Sequence, residues 1–578
     1  MGRTGKWKLL VMLFALTLIL TGCASAPASP PPVGSVPTAT AETAAPEPAL
    51  DAAPDVSGQR PVRSVTTTIT LADDAIAIKG PGARTQGSTL TITADGVYEL
   101  SGTLSKGQVI VDASDAAQVE LVLSGVDITA GENAAIYCKN ADNLIITLTD
   151  GTRNTLTDAD PFTFTDEVGE EPNAALFSKC DLNIGGKGWL MVNASFRHGI
   201  CSKDDLVIEG GGFMVNAAMD AIRATDSITA KDGNFNLTAG GDGFQASKAD
   251  DPAKGWALFE GGSYVIRACS DGVQAETELT IKDGNFDIVT EGTPAGESNS
   301  QKGLKAANSL TVENGNFCII SRDDAVHADV DALINGGTFY IETGDDGIHA
   351  NRNLYINGSE IRIPVCYEGF EGTIITMNGG TAFIDASNDA VSAAAGTPEA
   401  DTFSGRGGNP NVQAWFNGGE LEAVAGGDVV DSNGNIYVTG GTLRLSAPPW
   451  PDYEGSLLCN GDVTITGGTI ASVGCMGVNV YWDEQPILWV SHANELPCGT
   501  VLCLRDAEEN PIVELTTLED AVQSVFTSPK LEAGETYALY VDDERKLEVT
   551  LNAGMNAIGD DGGRFTGGYS RGNMAEYR

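Results

Sequence analysis

Basic and aromatic residues are both scarce in this sequence. Lys and Arg number 34 against 79 Asp and Glu, so the formal net charge is -45 and the pI is near 4.2. Such a chain is repelled by nucleic acid and by anionic membrane surfaces, which excludes both as expected partners. It also repels itself unless cations neutralise it, so bound metal ions are expected. The alternative is surface acid that only keeps an exported protein soluble.

Apolar runs long enough to cross a membrane are missing. The apolar run 9–20 follows three basic residues and is too short for a comfortable span. It leads into Leu20-Thr21-Gly22-Cys23, an order that resembles a bacterial lipobox. We therefore predict lipidation at Cys23 and an extracellular protein anchored to the bacterial membrane. An accidental cysteine after a cleaved secretory signal is the alternative.

Zinc-finger and redox motifs are also missing. Ten of the 11 cysteines follow Cys23, without a CxxC pair or a histidine at zinc spacing. Most are interpreted as small buried core residues. Cys498 and Cys503 are close enough in sequence to pair in an oxidising environment.

The chain does contain a short repeat. Segments 315–335, 336–357 and 358–378 align as units of 21, 22 and 21 residues, each with a glycine, a β-branched or aromatic segment and an acidic turn. These elements are too short and too rich in Gly, Asn and Asp for helices. A fixed period of this length predicts an all-β fold, a parallel β-helix with one rung per repeat.

The remaining segments complete the predicted organisation. Residues 1–23 are a signal peptide, and 24–63, rich in Pro, Ala, Ser and Thr, are a disordered stalk. Alternating strands in 64–150 indicate an N-terminal β cap and the first rungs, followed by the β-helix in 151–478. A small C-terminal β cap in 479–558 and a disordered tail in 559–578 end the chain.

Aligned acidic turns place one carboxylate per rung in a stacked column. Equivalent positions would lie roughly 4.8 Å apart, and neighbouring carboxylates repel by roughly 1 kcal/mol even in water. Calcium fits such a column because it takes hard oxygen ligands. The alternative is that these residues bond only their own turns. The predicted metal ligands are Asp242, Asp271, Asp323, Asp324, Asp345, Asp346, Glu368, Glu371, Asn388 and Asp389.

Four basic residues accompany the acidic column. His327 and His349 are 22 residues apart and should stack one rung apart, as a transition-metal pair or as a simple ladder of turn residues. Lys302 replaces acid in the column and Lys305 follows it. Either could abstract a proton in a calcium-assisted β-elimination of a uronate. A lysine that offsets neighbouring carboxylates is the alternative.

Insertions near 248–256, 293–300, 396–413 and 448–455 are expected to form the walls of a groove beside the acidic turns. Aromatic residues near them could stack on sugar rings or anchor the loops. They are Trp256, Trp415, Trp450 and Tyr453. No pair of carboxylates stands out as the acid and partner that a glycosidase needs.

Several of these segments together resemble a known family. The matching stretches are DGVYELSGTL with GQVIVDA, VELVLSGVDIT, AAIYC, NLIITLTDGTRNTLTD, QKGLKA, DDAVHA, DDGIHA and YEGFEG. Across residues 65–550 the chain is similar to bacterial carbohydrate-binding β-helix proteins related in fold to polysaccharide lyases. The resemblance implies a right-handed parallel β-helix, bound calcium, and binding of plant cell-wall polysaccharide such as cellulose or polygalacturonate.

The resemblance also implies calcium or ligand sites at Asp323, Asp324, Asp345, Asp346, Glu368 and Glu371. The next rung departs from the family pattern, because Asn388-Asp389-Ala390-Val391-Ser392-Ala393 stands where a DDGINA-like motif is expected. We expect a monomeric, surface-tethered carbohydrate-binding protein that uses calcium. A calcium-dependent polysaccharide lyase and a structural adhesin are the alternatives.

Overall fold

The computed structural model describes residues 63–166, 169–293, 300–395, 408–448, 455–474, 480–482 and 485–560. This part of the chain is all-β: it contains 51 strands and no helix. Accordingly, no membrane-crossing helix occurs within these ranges. Cys23, the predicted stalk up to residue 62, Trp450, Tyr453 and most of the predicted tail lie outside them.

The first nine strands begin the main sheet. β1 pairs in parallel with β5 and antiparallel with β2, and β5 continues in parallel to β6 and β7. The bounds are β1 (Thr67–Leu71), β2 (Ala77–Lys79), β3 (Ala83–Gln86), β4 (Thr89–Ile92), β5 (Gly96–Asp112), β6 (Gln118–Ala130), β7 (Ile136–Asn140), β8 (Asn143–Leu148) and β9 (Arg153–Thr157).

The central strands form three parallel ladders, because each strand pairs with the equivalent strand of the next repeat. Ladder A starts at β7. Its strands are β10 (Ala174–Ser178), β13 (His198–Ser202), β16 (Ile222–Ala224), β19 (Phe244–Ala246), β22 (Val273–Ala275), β25 (Leu304–Ala306), β28 (Val326–Ala328), the first half of β31 (Ile348–Ile356), the first half of β33 (Phe370–Met377), β35 (Val391–Ala393), β38 (Val430–Ser432) and β41 (Leu458–Cys459).

Ladder B follows ladder A along the chain and starts at β8. Its strands are β11 (Asp181–Gly186), β14 (Asp205–Ile208), β17 (Ser227–Ala230), β20 (Trp256–Phe259), β23 (Glu278–Ile281), β26 (Ser309–Val312), β29 (Asp331–Ile334), the second halves of β31 and β33, β36 (Gln413–Phe416), β39 (Asn435–Val438), β42 (Val463–Ile465) and β44 (Val480–Trp482).

Ladder C completes each repeat and starts at β9. Its strands are β12 (Trp189–Ala194), β15 (Gly212–Ala217), β18 (Asn234–Ala239), β21 (Ser263–Ala268), β24 (Asn285–Thr290), β27 (Asn316–Ser321), β30 (Thr338–Thr343), β32 (Glu360–Cys366), β34 (Thr381–Ala386), β37 (Glu420–Ala425), β40 (Thr442–Ser446) and β43 (Thr469–Val473).

Most of the C-terminal strands pair antiparallel, although β51 pairs with β45 in parallel. β48 pairs antiparallel with β43 and β45, while β46, β47, β49 and β50 form a separate antiparallel sheet. The bounds are β45 (Ile487–Leu496), β46 (Val501–Arg505), β47 (Pro511–Thr516), β48 (Ala521–Thr527), β49 (Thr536–Val541), β50 (Glu544–Thr550) and β51 (Met555–Gly559).

Alternation along each strand creates the core. In β24, for example, Phe286, Ile288 and Thr290 are buried while the residues between them are partly exposed. The inward aromatic positions of ladder C stack face to face over six repeats, with centroid separations from 4.4 to 5.1 Å. Each such pair contributes about 0.5 to 1.5 kcal/mol beyond burial. The stack contains Phe213, Phe235, Tyr264, Phe286, Phe317 and Phe339.

The corner between ladders B and C requires glycine and asparagine. Gly337 has a φ of 96°, and a Cβ there would lie 2.9 Å from the carbonyl oxygen of Gly315 in the preceding repeat. Beside it, Asn357 donates to Asn335 at 2.7 Å and Asn378 donates to Asn357 at 2.8 Å. The recurring glycine is therefore a steric requirement of the corner, and the asparagines link successive repeats.

Candidate functional site

The predicted acidic column lies at the corner where ladder C passes into ladder A. Its carboxylates are mostly buried. Several of them accept a hydrogen bond from the backbone N–H of the next residue in the column. Asp324 Oδ1 accepts from Asp346 at 3.1 Å, and Asp242 Oδ1 accepts from Asp271 at 2.9 Å. The alternative expectation was that these residues bond only their own turns, whereas the bonds seen here run to the backbone of the following repeat. The column comprises Asp220, Asp242, Asp271, Lys302, Asp324, Asp346, Glu368, Asp389 and Asp428.

A second column runs beside it, formed by the middle residues of the ladder A strands. These side chains lie between two buried core positions. Most are partly exposed, as in β25, whereas His327 and Ser392 are buried. They are in register from one repeat to the next. The mid-strand column comprises Arg223, Gln245, Gln274, Lys305, His327, His349, Glu371, Ser392 and Asp431.

Lys302 neutralises the carboxylates of the next repeat. Its Nζ lies 2.6 Å from Asp324 Oδ2 and 2.7 Å from Asp323 Oδ1. Burial acts to lower the pKa of Lys302, but Asp324 and Asp323 outweigh it, and the net pKa is raised. Lys302 is therefore held as a cation, which is the wrong state for a general base. Lys305 contacts Asp271 Oδ2 at 3.3 Å and Ser300 Oγ at 3.2 Å.

His327 and His349 stack one repeat apart, as the sequence predicts. Their ring centroids are 4.8 Å apart, and the two residues are paired in the ladder A register. His327 Nδ1 contacts Asp324 Oδ2 at 2.7 Å, and its Nε2 contacts Asp329 Oδ1 at 2.8 Å. Burial acts to raise the pKa of Asp324, but hydrogen bonds from His327 and His349 and the charge of Lys302 hold it well below its usual range.

His349 faces three carboxylates with one nitrogen. Its Nδ1 lies 3.2 Å from Asp346 Oδ2, 3.2 Å from Glu371 Oε2 and 3.6 Å from Asp324 Oδ2. Burial acts to lower the pKa of His349, but hydrogen bonds to Asp324 and Asp346 raise it to about 10. Burial and the contact with Asp346 raise the pKa of Glu371 to about 9. Asp346, His349 and Glu371 form a cluster whose ligand atoms lie within 4.8 Å of one another.

Beyond this cluster, the column continues with residues that bind each other. Asn388 Nδ2 donates to Glu368 Oε1 at 2.9 Å, and Asp389 Oδ1 accepts the N–H of Asp428 at 2.8 Å. Burial, followed by the charge of Asp346, raises the pKa of Glu368 to about 7. Among the described residues, Asp389 belongs to no candidate metal cluster of His, Cys, Asp and Glu side chains.

The upstream part of the column lies outside the candidate metal clusters found in the described ranges. Asp242 and Asp271, both predicted as metal ligands, lie before Lys302 and belong to none of the candidate metal clusters in the described ranges. Burial and the charges of Asp220 and Asp271 raise the pKa of Asp242 well above its usual range. Asp220 Oδ2 lies 2.8 Å from the Arg223 guanidinium and 3.1 Å from His198 Nδ1.

Calcium fits only part of this corner. Asp324 is surrounded by the Lys302 ammonium and two imidazoles, and the Asp346 cluster contains an imidazole nitrogen, whereas calcium takes six to eight oxygens. The all-oxygen group is Asp323, Asp324 and Asp345, of which Asp345 is exposed. Burial, and then the charges of Asp346 and Asp324, raise the pKa of Asp345. An oxygen-seeking cation is therefore suited to the exposed rim and not to the buried centre.

The described aromatic candidates lie on ladder B, away from both columns. Trp415 stacks on Tyr437 with centroids 3.9 Å apart, and its indole N–H donates to Gln413 at 2.8 Å. The facing surfaces of the two rings are thereby covered. Trp256 pairs with Ser227 in the ladder B register. The structure does not bring these residues to the acidic corner, which favours the alternative that they pack on the sheet.

The insertions leave the fold at both edges of ladder A. Those near 293–300 and 448–455 connect ladder C to ladder A, and those near 248–256 and 396–413 connect ladder A to ladder B. The sequence predicted them beside the acidic turns only. Their attachment points place the outer face of ladder A between them. Residues 294–299, 396–407 and 449–454 themselves lie outside the described ranges.

Some polar partners are not singled out by the repeat. Asp329 and His198 each hold one member of the column, but they occupy positions that the aligned motif leaves variable. A further acidic group, Asp181, Asp204 and Asp205, lies at the start of two neighbouring ladder B strands, β11 and β14. In the sequence it is marked by an Asp-Leu pair, which begins the ladder B strands β11 and β14.

The cysteine pairing differs from the expectation. Cys498 and Cys503 are both free, one exposed and one buried. The close pair is Cys138 and Cys180, two buried thiols whose sulfur atoms lie 3.3 Å apart. Closeness in sequence was a poor guide to cysteine pairing, because Cys138 and Cys180 are 42 positions apart and meet only where consecutive repeats stack.

These features define an all-β repeat protein with a charged column along one corner. A family model described as carbohydrate-binding domain-containing protein matches residues 86–347. A carbohydrate-binding domain-containing protein of Acetivibrio thermocellus is 38% identical over 201 residues, which cover 35% of this chain and 70% of the relative. The chain therefore belongs to the family of carbohydrate-binding domain-containing proteins.

A solved structure is also similar to part of the chain. It is described as the polysaccharide lyase-like protein from C. thermocellum, gadolinium derivative, and is 36% identical. The match covers 38% of this chain and 90% of that chain, with a TM-score of 0.37.

Proposed function

We propose that this protein is a non-catalytic, surface-tethered module that binds an acidic polysaccharide of the plant cell-wall type along the outer face of ladder A. The observation that carries the proposal is the mid-strand column, which offers one polar or charged side chain per repeat in unbroken register. A regular row of hydrogen-bonding groups suits a ligand that itself repeats.

The proposal includes the chain path and the anchor. We take the three ladders to wind as a parallel β-helix, since each repeat passes through A, B and C in order and pairs in parallel with the next. The right hand of the helix is the one that the family resemblance implies. The Cys23 motif supports a lipid anchor that holds the protein at the outer surface of a bacterial membrane. The residues between Cys23 and the first strand would then connect the anchor to the strands.

Calcium enters the proposal as a bridge. A chain with a net charge of -45 repels a polyuronate unless cations lie between the two sets of carboxylates. The carboxylates suited to this role are the accessible ones at the rim, Asp323, Asp345 and Glu368. Lys305 supplies a direct positive contact on the floor of the same face.

A lyase reaction is less well supported. The base in a β-elimination must be neutral before it takes the C5 proton, but Lys302 lies between two carboxylates that raise its pKa. Its position instead matches the alternative role of offsetting neighbouring acid. No observation among the described residues favours catalysis over binding.

The test is a titration of the purified full-length chain with polygalacturonate, in calcium and then in EDTA, while unsaturated uronide is monitored by absorbance. We expect saturable binding that needs calcium, without product. Lys305→Ala should weaken binding several-fold. The matched control is Lys282→Ala, which removes an exposed lysine paired with Glu260 at another corner.

Each other outcome has a defined meaning. Product that disappears in Lys302→Ala would replace this proposal with the lyase. Binding to insoluble cellulose that survives EDTA would point to neutral glycans. Absence of binding to both polymers would contradict carbohydrate binding on this face and favour an adhesin with a protein partner.

A further inference from the structure

At the centre of the acidic corner, one imidazole nitrogen is shared by three carboxylates. His349 Nδ1 faces Asp346, Glu371 and Asp324 at 3.2, 3.2 and 3.6 Å. A single N–H can make one good hydrogen bond to this set and leaves the others poorly served. In addition, Asp346 is only 5% exposed, and its Oδ1 receives no hydrogen bond from the described residues. One oxygen of this buried carboxylate therefore has no donor, and the other, Oδ2, depends on the shared His349 N–H.

The distances suit a metal ion in place of the shared proton. Zinc binds imidazole nitrogen and carboxylate oxygen at about 2.0 to 2.2 Å. In tetrahedral geometry this places neighbouring ligand atoms about 3.3 Å apart. The two Nδ1 to oxygen separations in the cluster are both 3.2 Å. A metal of this size could therefore enter with little movement of the side chains.

The neighbouring residues restrict the ligand set to three. His327 has both ring nitrogens engaged, with Asp324 and Asp329. Asp324 is engaged by Lys302 and His327 and by the N–H of Asp346. Asp346, His349 and Glu371 remain, supplied by the acidic turn, by β31 and by β33.

We propose that Asp346, His349 and Glu371 bind a divalent transition metal of the zinc class. The imidazole donor distinguishes this ion from calcium, which prefers oxygen alone, and the site lies deeper than the rim assigned to calcium. Three protein ligands leave one tetrahedral position for water or a ligand oxygen. The metal would also tie two consecutive repeats together.

The test uses the purified full-length chain, stripped of metal and titrated with zinc chloride by calorimetry in the presence of excess calcium. We expect a heat of zinc binding that excess calcium does not abolish. This binding should require all three ligands. His349→Gln and Glu371→Gln should each weaken it at least tenfold. Cobalt in place of zinc should give the visible absorption of a four-coordinate site, and His349→Gln should remove that absorption.

The matched control is His198→Gln. It also removes a histidine that faces a column carboxylate, Asp220, and within the described ranges this histidine has no second ion-pair partner. We expect zinc affinity in this variant to stay within twofold of the wild type. Zinc should also raise the melting temperature of the wild type and of His198→Gln but not that of His349→Gln.

Zinc affinity that is unchanged in both His349→Gln and Glu371→Gln would overturn the proposal, as would equal displacement by calcium. Because Glu371→Gln preserves side-chain shape, its circular dichroism spectrum separates loss of the ligand from loss of the fold. The proposal does not depend on polysaccharide binding. A chain that binds zinc but no polygalacturonate would contradict only the proposed function.

Discussion

Asp324 accepts the backbone N–H of Asp346 through Oδ1 at 3.1 Å while its Oδ2 contacts the ammonium of Lys302 at 2.6 Å. One carboxylate therefore links the repeat before it to the repeat after it. Because Asp324 is almost fully buried, removing it leaves the Asp346 N–H without its acceptor and leaves the Lys302 ammonium with Asp323 alone.

We expect Asp324→Ala to lower the free energy of unfolding by roughly 3 to 5 kcal/mol, the range for breaking one side of a buried ion pair. Asp324→Asn keeps an oxygen for the Asp346 N–H, so it should cost about 1 kcal/mol less. Denaturant unfolding measures both variants. Asp345→Ala, at an exposed neighbour, should stay within about 0.5 kcal/mol of the wild type. Equal stability of Asp324→Ala and Asp345→Ala would disprove the linking role.

Acid should weaken the fold through Asp220. Burial acts to raise the pKa of Asp220, but His198 and Arg223 outweigh it and lower the pKa to about 2, below the ordinary 3.8. The folded state thus holds fewer protons than the unfolded state between these values. The contribution to stability is complete above about pH 5 and is lost as the pH falls toward 2.

The shift corresponds to roughly 2 kcal/mol. We expect Asp220→Asn to remove this part of the acid dependence, so that its unfolding free energy falls less steeply between about pH 5 and pH 3. Urea unfolding at several pH values measures the slope. The exposed Asp127→Asn should retain the wild-type slope. Parallel curves for wild type and Asp220→Asn would contradict the assignment.

Cys138 and Cys180 should form a disulfide under mild oxidation. Their sulfur atoms lie 3.3 Å apart in the buried core, so a small movement reaches bonding distance. With oxidised glutathione, both thiols lose a proton and the pair of electrons reduces the reagent to two thiols. Peptide mapping should find a 138–180 link and no 498–503 link. Closing a loop of this length adds at most roughly 4 kcal/mol to stability, and Cys180→Ser should abolish the gain.

The repeat could be read from residue order because each of its causes is local. Gly337 opens a turn that excludes a Cβ, and the alternation around Phe286 buries every second residue. Register follows from the same repetition, which is why the stacking of His327 on His349 is confirmed. Asp323, Asp324 and Asp345 were likewise brought together as predicted.

The spacing of residues in the repeat did not predict which side chains contact each other at the corner between ladders C and A. The sequence placed Asp242 and Asp271 with the metal ligands, whereas the structure separates them from the cluster by Lys302 and Lys305. The aromatic candidates Trp256 and Trp415 lie on a different ladder. In each case, proximity to a turn in sequence did not specify which edge of the sheet the side chain occupies.

By itself, the sequence determined the all-β class, the repeat and the stacked order of its polar residues, because period and turn chemistry act over a few positions. Only the tertiary structure decided how charge is matched. In the structure Asp324 pairs with Lys302, and Asp346 Oδ1 receives no hydrogen bond from the described residues. These contacts depend on how side chains of adjacent repeats meet in one buried corner.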